Sequence, residues 1–445
     1  MQADSRHGYS VIVHIIAALG VPAMLACGGG DDGDPDAVTY HQQVKPIIDA
    51  RCVSCHQDGG IAPFSLATYE DAATYADLSG AAVELGIMPP WHAKDGCDDY
   101  FASRALEDDE KATFLEWVAT GARAGDPGDP APALEVEQTS LSRVDLSLTM
   151  PEGYTPAPAA GSSDDYRCFI IPWPETATQH VTGFRVRPGN QAVAHHAIAF
   201  LAQPDQAAFY QQLDAAQPGP GWTCFGGTGG PAREWIGAWV PGQPGADLPP
   251  GAGIAIQPGS LVILQMHYNT LNLVGSAVTP DQTSIDLRLD EQVAKVARVL
   301  PWANPDWVMN SNMPIPANDP DVMHAFSRDP TLFPFTGAER LEIYSVGLHM
   351  HLLGTRARLS IERADGSSDC LLDNDPWDFD WQGDYQLRTP AILDRGDELR
   401  VECHWDNTAE NQPLIDGERL PPGEVNWGED STDEMCLGIA LIAVP

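Results

Sequence analysis

The hydrophobic pattern of this chain changes character twice. Residues 11–26, VIVHIIAALGVPAMLA, form one apolar run behind a short polar start in which Arg6 and His7 stand against Asp4. The run is shorter than the roughly 18 residues expected of a spanning helix, so it reads as a targeting segment. Between residues 38 and 124 the apolar positions take helical spacing. Tyr40–Ala50 is one predicted helix, and Asp108–Thr120, with Phe114, Leu115 and Val118 suitably spaced, is another. Residues 124–133, AGDPGDPAPA, then read as a linker. From about residue 140 short apolar runs alternate with turns: HHAIAFLA, SLVILQMHYN, RLEIYSVGLHMH and DELRVECHW, punctuated by PGN, PGQPG, LPPGAG and QPGS. That pattern predicts β-sandwiches, and about 300 residues suffice for two.

Composition narrows the picture. A length of 445 residues suggests about three domains, and 43% hydrophobic residues are enough to form their cores. The 24 Lys+Arg against 63 Asp+Glu give a net charge of −39, which excludes a phosphate-binding surface and hence a nucleic-acid partner. The acidity identifies no ligand and is read as a solvated surface. The 41 Gly and 38 Pro favour turn-rich β structure over helical bundles.

The apolar run at the N-terminus ends at Met24-Leu25-Ala26-Cys27, followed by Gly28-Gly29-Gly30-Asp31-Asp32. This resembles a bacterial lipoprotein signal peptide (residues 1–26). The resemblance implies cleavage before Cys27, acylation of its thiol, and a flexible tether over 27–37. The expectation is an exported protein, lipid-anchored in the bacterial cell envelope (periplasm or cell surface), touching the membrane only through its lipid. Export places the other cysteines in an oxidising compartment.

Cys52-Val53-Ser54-Cys55-His56 fits C-x-x-C-H, the attachment pattern of covalent haem c. Two thiols three residues apart on one helical turn reach both vinyl groups, and the next residue, His56, ligates the iron. A chance match is expected roughly 0.005 times in a chain of this make-up; a redox or zinc C-x-x-C is the plainer alternative. Between residues 38 and 124 the only methionine is Met88, in Ile87-Met88-Pro89-Pro90-Trp91, which makes it the candidate sixth ligand, with His92 and His41 competing. The segment 38–124 resembles a small class I cytochrome c domain over its whole length.

Further histidines fall on the predicted strands. His349 and His351 form an H-x-H pair, and side chains two apart on a strand face the same way. His195 and His196 are adjacent, so a shared metal requires a bulge or a strand end there. His267 follows in Leu264-Gln265-Met266-His267-Tyr268-Asn269. His180, His324 and His404 are isolated and read as surface or satisfied core residues.

His195-His196, Gln265-Met266-His267-Tyr268, His349-Met350-His351 and Ser431-Thr432-Asp433-Glu434-Met435-Cys436 occur in that order. Over roughly residues 143–445 this resembles the type II copper, ascorbate-dependent monooxygenases, the group containing peptidylglycine hydroxylating and dopamine β-monooxygenases. The resemblance implies two jelly-roll domains, 143–300 and 301–445, after a linker at 125–142, with the border near Leu300-Pro301. The whole is then multidomain: a small all-α cytochrome c domain followed by two all-β jelly-roll sandwich domains. The resemblance also implies two copper ions, an electron-storing one on His195, His196 and His267, and a catalytic one on His349, His351 and Met435. Imidazoles suit copper and a thioether favours Cu(I). Zinc on the three-histidine cluster, as in a hydrolase, leaves Met435 and the second cluster unexplained.

Setting aside Cys27, Cys52 and Cys55 leaves six of the 9 cysteines, an even number with 15 possible connectivities. The resemblance suggests Cys168–Cys224 and Cys403–Cys436. Cys97 and Cys370 then either pair across domains or stay free.

Peptide-hydroxylating members carry an Arg two residues before the H-x-H pair, and an Asn and a Tyr two and four residues after the Met ligand. Here those positions hold Gly347, Leu437 and Ile439. The expected substrate is therefore a small, more apolar organic molecule, hydroxylated with O2 and a one-electron donor (ascorbate or another redox protein), with the fused haem relaying electrons. A non-catalytic electron-transfer or copper-carrying lipoprotein is the alternative.

Overall fold

The computed structural model describes residues 37–444, apart from 61, 136, 138–139, 160–163, 225–226, 233, 271–276, 334–336, 380, 416–417 and 429–430. The N-terminal apolar run, Cys27 and nearly all of the expected tether lie outside the described residues. The structure is mostly β-sheet with few helices, as β-sandwich domains require. The chain divides into two units: one takes in residues up to Trp91 and Ser103–Val136, the other His92–Ala102 and Glu137–Pro445.

Among its described residues the first unit contains helices and no strand. A π-helical turn, Tyr40–Val44, runs into the helix Lys45–Arg51, followed by Tyr69–Thr74, Ala76–Glu84 and Asp108–Ala119. The first and last match the predicted helices closely. Glu107 and Glu110 close a capping box at the start of the last helix. Gly80 lets two helices meet: a Cβ there would lie 3.0 Å from Val118. Tyr40, Val44, Ile48, Val83, Phe114 and Trp117 form the core, with Cys52 and Met88 packed against it. Arg51 reaches both carboxylate oxygens of Glu110 at 3.0 Å, a mostly buried pair that ties the first helix to the last.

The second unit is built on three main sheets. A five-stranded sheet is centred on Leu261–Asn269, with Asp164–Pro172 on one side and Ala194–Ala202 on the other. Its apolar face, including Phe169 and Leu264, shares a core with Val181, Val186, Ile254, Ile285 and Leu287 from a nine-stranded sheet. That longer sheet continues through Lys295–Trp302, Leu437–Ala443 and Arg340–His349 to its edge strand, Asp384–Asp394. A four-stranded sheet packs on this second half: a Cβ on Gly438 would lie 2.7 Å from Leu359, and the Trp302 indole donates to the Leu399 carbonyl at 2.9 Å. The expected border at Leu300-Pro301 is not a gap. It lies inside Lys295–Trp302, which pairs in parallel with Ala252–Gly253 and antiparallel with the C-terminal strand, so one sheet carries both halves.

Residues 92–102, expected within the helical domain, are instead part of the second unit. Strand pairing explains this. Ala93 bridges Asn374 and the Lys94 N–H donates to the Asp373 carbonyl at 2.8 Å, along the edge strand Ser368–Asn374 of the four-stranded sheet. Tyr100 bridges Leu387 and the Phe101 N–H donates to the Gln386 carbonyl at 2.8 Å, along the edge of the nine-stranded sheet. Eleven residues thus lace both edges of the second sandwich. Cys97 pairs with Cys370 in their midst, and the disulfide is therefore internal to the second unit rather than a bridge between domains.

Candidate metal centres

The His195–His196 pair sits at the start of Ala194–Ala202, where the register against Leu261–Asn269 shifts between Ala194 and His196. Either a strand end or a bulge was required of adjacent histidines, and both are present. The shift sets His196 opposite His267. The three Nδ1 atoms converge, His196 to His195 at 3.3 Å and His196 to His267 at 3.2 Å. This is the one cluster of three or more His, Cys, Asp or Glu ligand atoms within 4.8 Å among the described residues. On its far side the His267 Nε2–H donates to Asp164 Oδ1 at 2.9 Å, so its Nδ1 keeps a free lone pair. The Tyr166 ring stacks on His267 at 4.1 Å. Burial holds all three imidazoles below the usual histidine range: His195 against a partial offset from Asp164, His196 helped by His267, His195 and His349, and His267 by His195. Neutral imidazoles with converging lone pairs favour a bound cation.

His349 ends the strand Arg340–His349 and His351 lies just beyond it, their Nε2 atoms 3.2 Å apart. Each ring is turned by a neutral acceptor: the His349 Nδ1–H donates to Gln382 Oε1, and the His351 Nδ1–H donates to the Asp433 carbonyl at 3.2 Å. With both Nδ1 atoms donating, each Nε2 carries its ring's lone pair, and the two face one another. Met435 is buried on the loop that also supplies Asp433. Glu434, fully buried, docks that loop. Its carboxylate accepts from the main-chain N–H of His351 at 2.9 Å, Leu353 at 2.7 Å and Met435 at 3.3 Å, and from the Trp405 indole at 2.8 Å. Burial pushes its carboxyl up to about 7 against these hydrogen bonds. The Cys403–Cys436 disulfide anchors the residue after Met435, and Cys168–Cys224 forms in the first half. The two clusters are near neighbours: His349 contributes to the depression of His196, and the Ser431 hydroxyl donates to Tyr166.

In the first unit Cys52 and Cys55 are unpaired. The His56 Nδ1–H donates to the Phe64 carbonyl at 3.0 Å, which leaves Nε2 free, and His56 is only 9% exposed. Gly60 has no room for a side chain, since a Cβ would lie 2.3 Å from the Cys55 carbonyl. Met88 and His41 lie in this unit, whereas His92 belongs to the other. Of the isolated histidines, His404 lies between Asp321 and Glu402 and His324 meets the Pro314 carbonyl, whereas the buried His180 Nδ1 has no hydrogen-bond partner among the described residues. Asp164, Glu434 and Gln382 were not singled out from the sequence. Glu434 alone had a signal, its place between Asp433 and Met435.

Comparison with known proteins bears on the second unit. Residues 150–274 match the N-terminal domain of copper type II ascorbate-dependent monooxygenase, and residues 308–439 match its C-terminal domain. DBH-like monooxygenase protein 1 from Gallus gallus is 24% identical over 327 residues, covering 69% of this chain and 48% of that protein. The chain thus spans about half the length of the curated relative it matches. Two solved structures, the infectious bursal disease virus VP2 subviral particle and the same virus's Gx strain, each cover 69% of this chain and 74% and 75% of their own. Their identities are 8% and 10% and their TM-scores both 0.15, too low to inform the fold. With both halves matched in order, the chain belongs, over these residues, to the copper type II ascorbate-dependent monooxygenase family.

Proposed function

We propose that this chain is a copper-dependent monooxygenase that converts R–H, O2, two electrons and two protons into R–OH and water. The observation that carries the reading is the pair of unlike donor sets in one unit. His195, His196 and His267 present three Nδ1 atoms, while His349 and His351 present two Nε2 atoms beside a buried loop bearing Met435. Neutral imidazole and thioether donors fit copper in both oxidation states. Bound there, copper supplies one-electron transfer and O2 activation. The protein's part is to keep the imidazoles neutral and turned inward through Asp164, Gln382 and the Asp433 carbonyl.

The substrate surface follows from strand register. Gly347 lies between Ile439 on one neighbouring strand and Asp384 on the other, and Leu437 stands opposite His349. Asp384 is exposed at the start of its strand; neighbouring protein raises its carboxyl to about 6, against a hydrogen bond from Ser345, so it remains anionic at neutral pH. An apolar wall and an anion here favour a substrate with an apolar body and oppose one that ends in a carboxylate, such as a peptidylglycine.

The proposal extends to a covalent haem c on Cys52, Cys55 and His56. Its support is that these two thiols stay unpaired while the six cysteines of the second unit pair. Met88, packed on the same core as Cys52, is the favoured sixth ligand over His41. A haem held by these residues would supply single electrons, the form in which a copper held by His195, His196 and His267 would take them, replacing or relaying for ascorbate. Cys27 is the proposed site of lipid attachment for an exported, membrane-anchored protein, and a Cys27→Ser variant recovered in the soluble fraction would support it.

The decisive experiment supplies copper-loaded protein with ascorbate, apolar organic substrates and 18O2. Substrate-dependent oxygen uptake with 18O in the product supports the proposal. Oxygen consumption that no substrate changes favours the non-catalytic electron or copper carrier. For the haem, the reduced protein should show a c-type spectrum that a Cys52→Ser/Cys55→Ser variant loses. A haem that stays reduced while product forms argues against the relay.

A further inference from the structure

We propose that Asp164 is a positioning residue that sets the affinity and reduction potential of the first copper centre through His267. The inference rests on the reading that His195, His196 and His267 hold copper. Asp164 opens the strand Asp164–Pro172, whose register places Tyr166 opposite His267 and Asp164 opposite Asn269. Asp164 and Tyr166 therefore share a face with His267, and the carboxylate reaches the imidazole diagonally. Asp164 Oδ1 accepts from His267 Nε2 at 2.9 Å and from Asn269 Nδ2 at 2.8 Å. The amide of Asn269 thus aims the carboxylate at the ring. His267 itself is 2% exposed and lies under the Tyr166 ring, which prevents it from turning over.

Two consequences follow. An imidazole that donates from Nε2 has its lone pair on Nδ1, the atom directed at His196. A carboxylate on that N–H also makes the ring a stronger donor, which favours Cu(II) over Cu(I). The second centre lacks this feature among the described residues. There the corresponding N–H groups meet an amide oxygen, Gln382, and a main-chain carbonyl, Asp433, both neutral. Asp164 would therefore hold copper at the first centre at a lower potential than copper at the centre of His349, His351 and Met435, which favours electron flow from the first to the second.

The test compares Asp164→Asn, Asp164→Ala and His267→Ala in the full chain by copper stoichiometry, Cu(II) paramagnetic resonance and redox titration. Asn keeps a neutral acceptor, and Ala removes both acceptor and charge. Both Asp164 variants should fold and bind copper. Cu(II) affinity at the first centre should weaken roughly 10- to 100-fold, more for Ala than for Asn, and its potential should rise while the second centre's signal stays unchanged. Unaltered affinity, spectrum and potential in Asp164→Ala would overturn the proposal. His267→Ala separates the two levels: retention of first-centre copper there would sink the ligand reading itself, whatever Asp164 does.

Discussion

The two donor sets of the second unit are held by different means. His267 lies on the central strand of its sheet, with hydrogen-bonded neighbours on both sides, and His196 stands directly across from it. The ladder places these rings, and Asp164 orients the His267 imidazole and strengthens it as a donor. His349 is the last residue of its strand, while His351 and Met435 lie beyond any ladder. There a single buried carboxylate, Glu434, gathers four N–H donors, and the Cys403–Cys436 bridge holds the next residue. Where sheet hydrogen bonds run out, a polar clamp and a covalent one replace them. The second centre should therefore be far easier to dismantle than the first.

Glu434→Ala tests this most sharply. Each donor left unpaired in the interior costs about 1–3 kcal/mol, so we expect a stability loss of about 4 kcal/mol after partial rescue by water. Metal analysis should show loss of copper from the second centre only. Wild-type stability with both coppers retained would mean the clamp is dispensable.

Opening Cys403–Cys436 by a double Cys→Ser substitution should cost about 2–4 kcal/mol and weaken the second centre. The matching change at Cys168–Cys224 should cost a similar amount yet leave copper at the first centre, where the strand ladder does the holding. Denaturant unfolding with resonance spectra of both variants would reveal any failure of that contrast.

The smallest effect concerns Asp384. The Asp384 side chain is exposed, so solvent moderates the effect of the neighbouring protein, which raises its carboxyl to about 6 and makes it bind a proton more tightly folded than unfolded. Its contribution favours the fold below about pH 4 and is lost as pH rises to about 6. Asp384→Asn should flatten unfolding free energy across that window, and an unchanged pH slope would show that Asp384 is better solvated than its surroundings imply.

Much of this was legible in the sequence because it is local. Period-two runs marked the strands bearing His195, His267 and His349, and a shared metal on His195 and His196 required a bulge or a strand end, of which the structure contains both. The roles of Asp164, Gln382 and Glu434 are not local: the first acts on a histidine 103 residues away, the second on one 33 residues away, and the third through the docking of a loop. No spacing rule encodes such a meeting. The segment 92–102 was misplaced for the same reason: its composition resembles the loops around it, and only edge-strand pairing reveals where it belongs.

That lacing has a practical and biosynthetic consequence. A fragment begun at the apparent start of the β region, near residue 143, would lack the stretch from Ala93 to Phe101 and leave Cys370 without its mate. Two rows of unsatisfied backbone groups would then face water, ready to zip onto those of another molecule. Residues 93–101 precede both edge strands along the chain, so N-to-C synthesis makes the cover before the edges it pairs with.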